Sequence, residues 1–325
     1  MEIAPGIHRI VAPLGERFNA LYLLAGSEAS LLVDTGLGPD VEGTLLPYLD
    51  SIGHPRERLR YAINTHSDFD HTGGNRALRE VIPSVLLMCG ELDRPMVEDI
   101  ERMIGRRYGE FATDHGIDDS DETREYIRSV APGAPVDVGL TGGERLHLGD
   151  GWRVEVLHTA GHSWGSVSLW DPRSRALIIG DAVLWNAVLL ATGEAAFPPT
   201  YRYLSTYLAT IARLEGLGAE WLLTSHYPVR QGPGVAEFLA ESRAYTERVD
   251  AVLAEDLQVG PRTLRELTER LGPGLGEWPE AASAYLSYPL LGHLERMLEF
   301  GLVITGRRDG LLEYRWIGTA GGGTA

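Results

Sequence analysis

The chain has 325 residues, 44% of them apolar, and a formal net charge of −17. That is enough for one large domain, a smaller one and a real core, and the charge opposes non-specific binding to nucleic acid or anionic membrane. All 29 basic residues are arginine and Cys89 is the only cysteine, which excludes lysine-dependent chemistry, internal disulfides and cysteine-rich zinc clusters. Neither a secretory signal at 1–5 nor an apolar run of membrane-spanning length is present, so a soluble, cytoplasmic protein is expected.

Short apolar runs at 7–11, 20–24 and 30–33, broken by Pro13-Leu14-Gly15 and Gly26-Ser27, read as strands of one sheet. Helical spacing covers 41–52, and strand character returns at 61–65, overlapping an apolar run at 59–63, and at 85–88, which implies a layered α/β fold. Between 91 and 132 the pattern is helical and charged, carrying Arg102, Arg106, Arg107, Arg124 and Arg128. Two readings of that insertion stay open, a lid over a site or a solvated helical excursion. Strands resume in pairs at 144–148, 152–158, 166–170 and 176–179, implying a second sheet, followed by a helix over 203–217, a strand at 221–223 and a long connecting helix over 235–257. From Pro261 the order is a helix from Thr263 to Leu271, a loop over 272–276, a second helix to Leu298, and a hairpin of 302–305 and 312–316 around Arg308-Asp309-Gly310. Helix, helix, hairpin is the layout of a winged helix, and the tail 319–325 is expected to be disordered.

The densest chemistry is His66-Ser67-Asp68-Phe69-Asp70-His71, four metal-competent side chains in six residues directly after an apolar strand. Carboxylates and imidazoles packed so closely repel or desolvate one another unless cations or protons intervene, so a bound metal pair is expected. Further candidates, His162 in Thr159-Ala160-Gly161-His162-Ser163, Asp181 after Gly180 and His226 after Ser225, all follow strands. Strand ends are where sites of layered α/β folds assemble.

This ordered set, together with the Val33-Asp34-Thr35-Gly36 turn, resembles the metallo-β-lactamase superfamily over roughly residues 1–240. The resemblance implies an α/β fold, the αββα metallo-β-lactamase sandwich of two packed sheets flanked by helices, here with a small C-terminal winged-helix-like domain. The expected division is a hydrolase domain at 1–240 with the insertion 91–132, a connecting helix and winged-helix-like domain at 241–318, and the tail. The resemblance places one metal on His66, Asp68 and His162 and the other on Asp70, His71 and His226, with Asp181 bridging. It departs at Asp68, where the family pattern has histidine. A carboxylate there is a harder ligand, so two divalent ions are expected with zinc first and iron or manganese as alternatives.

The implied function is a dinuclear metal hydrolase that cleaves an ester, thioester or lactone of a small metabolite with a metal-bridging hydroxide, Asp70 orienting it. Alternatives are a di-iron oxidoreductase, a metal-dependent endoribonuclease and a ligand-sensing winged-helix regulator. Residues 250–318 carry 7 arginines against 11 acidic residues, so a structural role for that part is preferred over a groove reader. A small-molecule substrate is the expected partner, no nucleic acid and no membrane are expected, and a homodimer is left open. His8, His54, His115, His147 and His293 receive no role, His158 is left outside the metal centre, and Cys89 is read as buried packing. Trp164, Trp185, Tyr201 and Tyr227 are divided between pocket and core.

Overall fold

Alternation of side chains along the N-terminal strands decides how the layers stack. The computed structural model describes residues 1–318, so the expectation for the tail lies outside it. A seven-stranded sheet runs in sequence order through β1 (Glu2–Ala4), β2 (Ile7–Leu14), β3 (Arg17–Ala25), β4 (Ser30–Val33), β5 (Leu59–Asn64), β6 (Leu86–Gly90) and β7 (Val138–Leu140). Its first pairings are antiparallel, and those from β4 to β7 are parallel. In β3, Ala20, Tyr22 and Leu24 face one side while Leu21 and Leu23 face the other, and all five are buried.

The second sheet comprises β8 (Arg145–Gly149), β9 (Trp152–His158), β10 (Val167–Asp171) and β11 (Ala176–Gly180). After a small hairpin of β12 (Val188–Leu189) and β13 (Ala195–Phe197), it is completed by β14 (Trp221–Thr224) and β15 (Arg230–Gln231), in the order β15-β14-β11-β10-β9-β8. Tyr22, Leu24, Leu31 and Ile63 of the first sheet pack against Val154, Val156, Val167 and Ile178 of the second. Leu21, Leu23 and Leu32 meet Val41, Leu45, Leu49 and Leu78 of the outer helices on one flank, and Leu177, Ile179 and Leu222 meet Leu204, Ile211 and Phe238 on the other. Helices cover both outer faces, which is the expected αββα layering.

The insertion is helical, as its spacing predicts, in the segments Arg94–Glu98, Ile100–Met103, Ile104–Tyr108, Ala112–His115 and Asp121–Val130. A 27-residue helix, Pro233–Val259, leads into the C-terminal part. There Thr263 caps the helix Leu264–Leu275 in a reciprocal box with Glu266. That helix runs on through Pro273, where the sequence reading placed a loop at 272–276. Proline in the final turn forfeits little further bonding, and buried Leu275 holds the turn against the core. A short 3-10 segment, Glu280–Leu286, precedes the helix Ser287–Glu299. The hairpin of β17 (Val303–Arg308) and β18 (Leu311–Trp316), with the short β16 (Arg262–Thr263) on the other edge of β18, forms a three-stranded sheet. Asp309 and Gly310 adopt φ 52° and 85°, as a tight Asp-Gly turn requires. One apolar cluster extends from Leu177 and Tyr207 through Val249 and Leu253 to Leu264, Leu290, Leu294 and Tyr314.

Candidate metal centre

All seven candidate ligands gather at the strand ends, four on the first sheet's side and three on the second's. His66 follows β5, and Asp68 stands at the N-terminus of the short helix Phe69–Thr72 that carries Asp70 and His71. His162 lies in the loop after β9, Asp181 directly follows β11, and His226 follows β14. Two glycines make the loops possible. Gly161 has φ 152°, and a Cβ there would stand 2.6 Å from the Tyr207 backbone; Gly180 has φ 52° and lies against the Thr65 side chain.

The imidazoles are held by their Nδ1 atoms. His162 Nδ1 donates to the Thr200 carbonyl at 3.1 Å and His226 Nδ1 to the Phe18 carbonyl at 2.9 Å. His71 Nδ1 donates to Asp34 Oδ2 at 2.9 Å. The Thr65 hydroxyl donates to the same carboxylate at 2.9 Å, which leaves its oxygen to accept from His66 Nδ1 at 3.0 Å. Every Nε2 is thereby turned inward, the arrangement by which outer partners fix the tautomer of a metal-ligating histidine. Asp34 does this from a left-handed backbone conformation, φ 59°. The sequence reading quoted its turn but assigned it no part in the site.

The inward atoms fit two neighbouring cations. Asp68 Oδ2 lies 3.7 Å from His66 Nε2 and 3.1 Å from His162 Nε2. Asp70 Oδ2 lies 3.7 Å from His71 Nε2 and 3.5 Å from His226 Nε2, and Asp181 Oδ2 reaches the same two nitrogens at 3.9 and 3.3 Å. Ligand atoms about 2.0–2.2 Å from a tetrahedral ion stand roughly 3.3–3.6 Å from one another, so both sets have the right span. Buried His66 Nε2, His71 Nε2 and Asp181 Oδ1 have no hydrogen-bond partner, a costly state that coordination relieves. The centre thus unites His66, Asp68 and His162 as one group, Asp70, His71 and His226 as another, and sets Asp181 beside His66 and His71.

Charge coupling follows from this crowding. Burial alone would lower the His71 imidazole, but the Asp70, Asp34 and Asp181 carboxylates push its pKa up to about 10. Burial would raise Asp181, and the His226, His71 and His66 rings instead hold it well below the usual carboxylate range. At pH 7 metal-free His71 therefore carries a proton that a metal must displace. Loading is expected to release protons, with affinity rising about tenfold per pH unit for each proton displaced, from pH 6 toward pH 10. Calorimetric titration in buffers of different ionisation enthalpy measures the release, and an affinity unchanged between pH 6 and 8 would contradict this charge state.

Arg107 is the residue that sequence reasoning missed. It comes from the insertion, is buried, and binds Asp68 with both arms of its guanidinium, Nε to Oδ1 at 2.8 Å and Nη2 to Oδ2 at 3.0 Å. The same Nη2 donates to His162 Nε2 at 3.1 Å. Burial would raise Asp68, but the Arg107 charge, with smaller contributions from the adjacent His162 and His66 rings, holds its carboxyl far below normal. No motif separates Arg107 from Arg102 and Arg106, and only the fold selects it.

Phe69, Arg107, Tyr108, Ile127, Phe197 and Tyr288 help line a cleft of about 100 Å³ that reaches Asp68, Asp70, Asp181 and His226. The insertion thus shapes the site, and the C-terminal part contributes Tyr285 and Tyr288. Tyr201 and Tyr227 are core residues, whereas Trp164 stacks on Tyr203 at the surface with 48% exposure. His158 lies outside the centre, its ring paired with the Trp164 carbonyl. Buried Cys89, its thiol pushed up by burial, packs with Val97 and Val136.

The sequence model of the metallo-beta-lactamase superfamily matches residues 14–226. Bovine acyl-coenzyme A thioesterase MBLAC2 is 30% identical over 219 residues, 62% of this chain and 68% of that protein. Hydroxyacylglutathione hydrolase of Methylococcus capsulatus is 29% identical over 76% of this chain and 79% of its own. A metallo-beta-lactamase family protein of Thermus thermophilus superposes with a TM-score of 0.76 at 24% identity, covering 97% of this chain and 99% of that one. A beta-lactamase domain protein of Burkholderia ambifaria gives 0.75 at 20% identity, covering 98% and 93%. These two likenesses show the fold alone, and they extend across the C-terminal part.

Proposed function

The chain belongs to the metallo-beta-lactamase superfamily and is a metal-dependent hydrolase, and from that premise we propose that it cleaves an acyl thioester of a small metabolite at a centre of two divalent ions. The observation that carries the reading is the convergence of six ligand side chains and Asp181, with His66 Nε2, His71 Nε2 and Asp181 Oδ1 unpaired and buried. Thioesters are favoured over other esters because two relatives are named for thioester substrates.

Bound divalent ions would supply Lewis acidity toward the acyl carbonyl and lower the pKa of a water molecule between them. The protein supplies the rest. His66, Asp68 and His162 would hold one ion, Asp70, His71 and His226 the other, and Asp181 would span both. Asp70 would accept a hydrogen bond from the attacking water and orient it. Phe69, Ile127, Phe197 and Tyr288 offer an apolar wall for the acyl chain and exclude bulk water. Zinc is the proposed metal. Asp68 remains a hard oxygen ligand, but Arg107 neutralises much of the negative charge it would add, which weakens the preference for iron or manganese.

A panel of acyl thioesters, matched oxygen esters, lactones and a structured RNA tests the reading on metal-loaded protein. Turnover of the thioesters above the oxygen esters is expected, and loss of that turnover on chelation. Cleavage of RNA or lactones with thioesters untouched would replace the proposal. No helix among the described residues is long and apolar enough to cross a membrane. The C-terminal helices and hairpin, read as a winged helix, are proposed to serve the fold and the cleft rather than nucleic acid, in keeping with their acidic balance.

A further inference from the structure

At one of the two proposed metal positions the protein already supplies a cation of its own. His162 Nδ1 donates to a carbonyl, so its Nε2 presents a bare lone pair, and that lone pair faces Asp68 Oδ2 at only 3.1 Å. Two acceptors at that distance repel unless positive charge lies beside them. Arg107 provides it, donating to both Asp68 oxygens and to His162 Nε2. Guanidinium is always protonated in proteins and cannot yield its charge to an incoming ion.

The other position has no such counterpart. His226, its Nδ1 committed to the Phe18 carbonyl, faces Asp181 and Asp70 oxygens with Nε2 at 3.3 and 3.5 Å, and His71 Nε2 faces both carboxylates. Among the described residues no arginine pairs with Asp70 or Asp181, so protons or metal ions must neutralise them. Arg107 is also pinned. Its guanidinium lies 4.2 Å from the centre of the Tyr288 ring, and the Tyr288 hydroxyl donates to the Arg107 carbonyl at 2.8 Å. The ring belongs to the C-terminal helix Ser287–Glu299, so that part of the chain touches the centre at Arg107.

We propose that Arg107 is a resident cation sharing Asp68 and His162 with the first metal position, so that the two positions differ in affinity. The position of Asp70, His71, His226 and Asp181 holds its ion tightly, while that of His66, Asp68 and His162 is weaker and exchanges. Asp68 suits this arrangement because a carboxylate can serve arginine and metal together through its two oxygens, whereas histidine at 68 would offer the guanidinium no forked partner. The inference rests on the metal-centre reading above.

Competition of the full-length protein with a chromophoric zinc chelator tests it without reference to activity. Wild type should bind zinc in two phases whose dissociation constants differ by at least about tenfold, and His162→Ala should remove the weak phase while sparing the tight one. Arg107→Met and Arg107→Gln, both uncharged, should tighten the weak phase by about tenfold or more, and Arg107→Lys, which keeps the charge, should preserve the gap. The glutamine variant retains a donor for Asp68 and guards against simple misfolding. Two equal tight sites in wild type, or an unchanged or weakened second phase in both uncharged variants, would overturn the role of Arg107 and leave the metal centre standing. Binding of no zinc by wild type would overturn both.

Discussion

Replacing His71 and His226 together by alanine is expected to empty the position they share with Asp70 and to reduce turnover by about a thousandfold or more. The magnitude follows from the several kcal/mol of transition-state stabilisation that a catalytic ion supplies, each 1.36 kcal/mol being a factor of ten. Both rings are fully enclosed, and both direct Nε2 at the same pair of carboxylates. Their removal leaves Asp70 and Asp181 without a ligand partner between them, and the buried like charges then oppose metal-free folding as well. Elemental analysis of the purified variant checks the first part, and full metal occupancy would remove these residues from the centre. A loss of activity with metal retained would place their role in protonation rather than ligation.

Cutting the chain after Asp250 is expected to abolish soluble, folded protein. Leu264, Leu267, Leu290, Leu294 and Tyr314 belong to the same apolar cluster as Leu177, Ile179 and Tyr207 of the catalytic layers. Withdrawing such side chains exposes their partners at about 1.5–3 kcal/mol each, and five of them already approach the 5–15 kcal/mol that stabilises an ordinary domain. Polar ties would be lost with them. Arg202, nearly buried, forks onto Glu295 at 2.6 and 2.7 Å while also holding Glu110 of the insertion at 2.8 Å. Tyr288 would no longer support Arg107. Sedimentation and circular dichroism of the truncated chain check the expectation, and a monomeric, metal-binding fragment with native ellipticity would show that residues 1–250 fold alone.

Much of the fold is legible in local patterning because each layer repeats a simple rule. β4 and β9 emerge with the bounds their hydrophobic runs predict, and the long helix after β15 extends its predicted span by two residues at each end. All seven candidate ligands are recognisable for a related reason. Metal chemistry restricts residue type and spacing so severely that His66, Asp68, Asp70 and His71 stand out in one glance along the chain, and the strand-end rule directs attention to His162, Asp181 and His226. What stays hidden is whatever depends on long-range geometry. Asp34 and Arg107 are ordinary polar residues until the fold brings one against His71 Nδ1 and the other against Asp68. The continuation of a helix through Pro273 is equally invisible locally, since it is decided by the burial of Leu275 beyond the proline.

Asp93 shows the same limit within the second sphere of the site. Fully buried, it accepts from the Ser67 and Gly165 amides at 3.1 and 2.8 Å and from the Ser163 hydroxyl at 2.5 Å, so it joins the loop of His66 to the loop of His162. Its position at the start of the insertion, among many other acids, carries no sequence signal.

The most direct test of the account is a reconstitution series on the intact chain. Metal is removed by chelation, zinc is returned in steps, and bound metal and hydrolysis of an acyl thioester are measured on the same samples. The account predicts negligible turnover in the metal-free protein and recovery that follows zinc content, approaching two ions per chain at saturation. Full thioester hydrolysis at zero bound metal, or metal binding that restores no hydrolysis of any thioester, would contradict it.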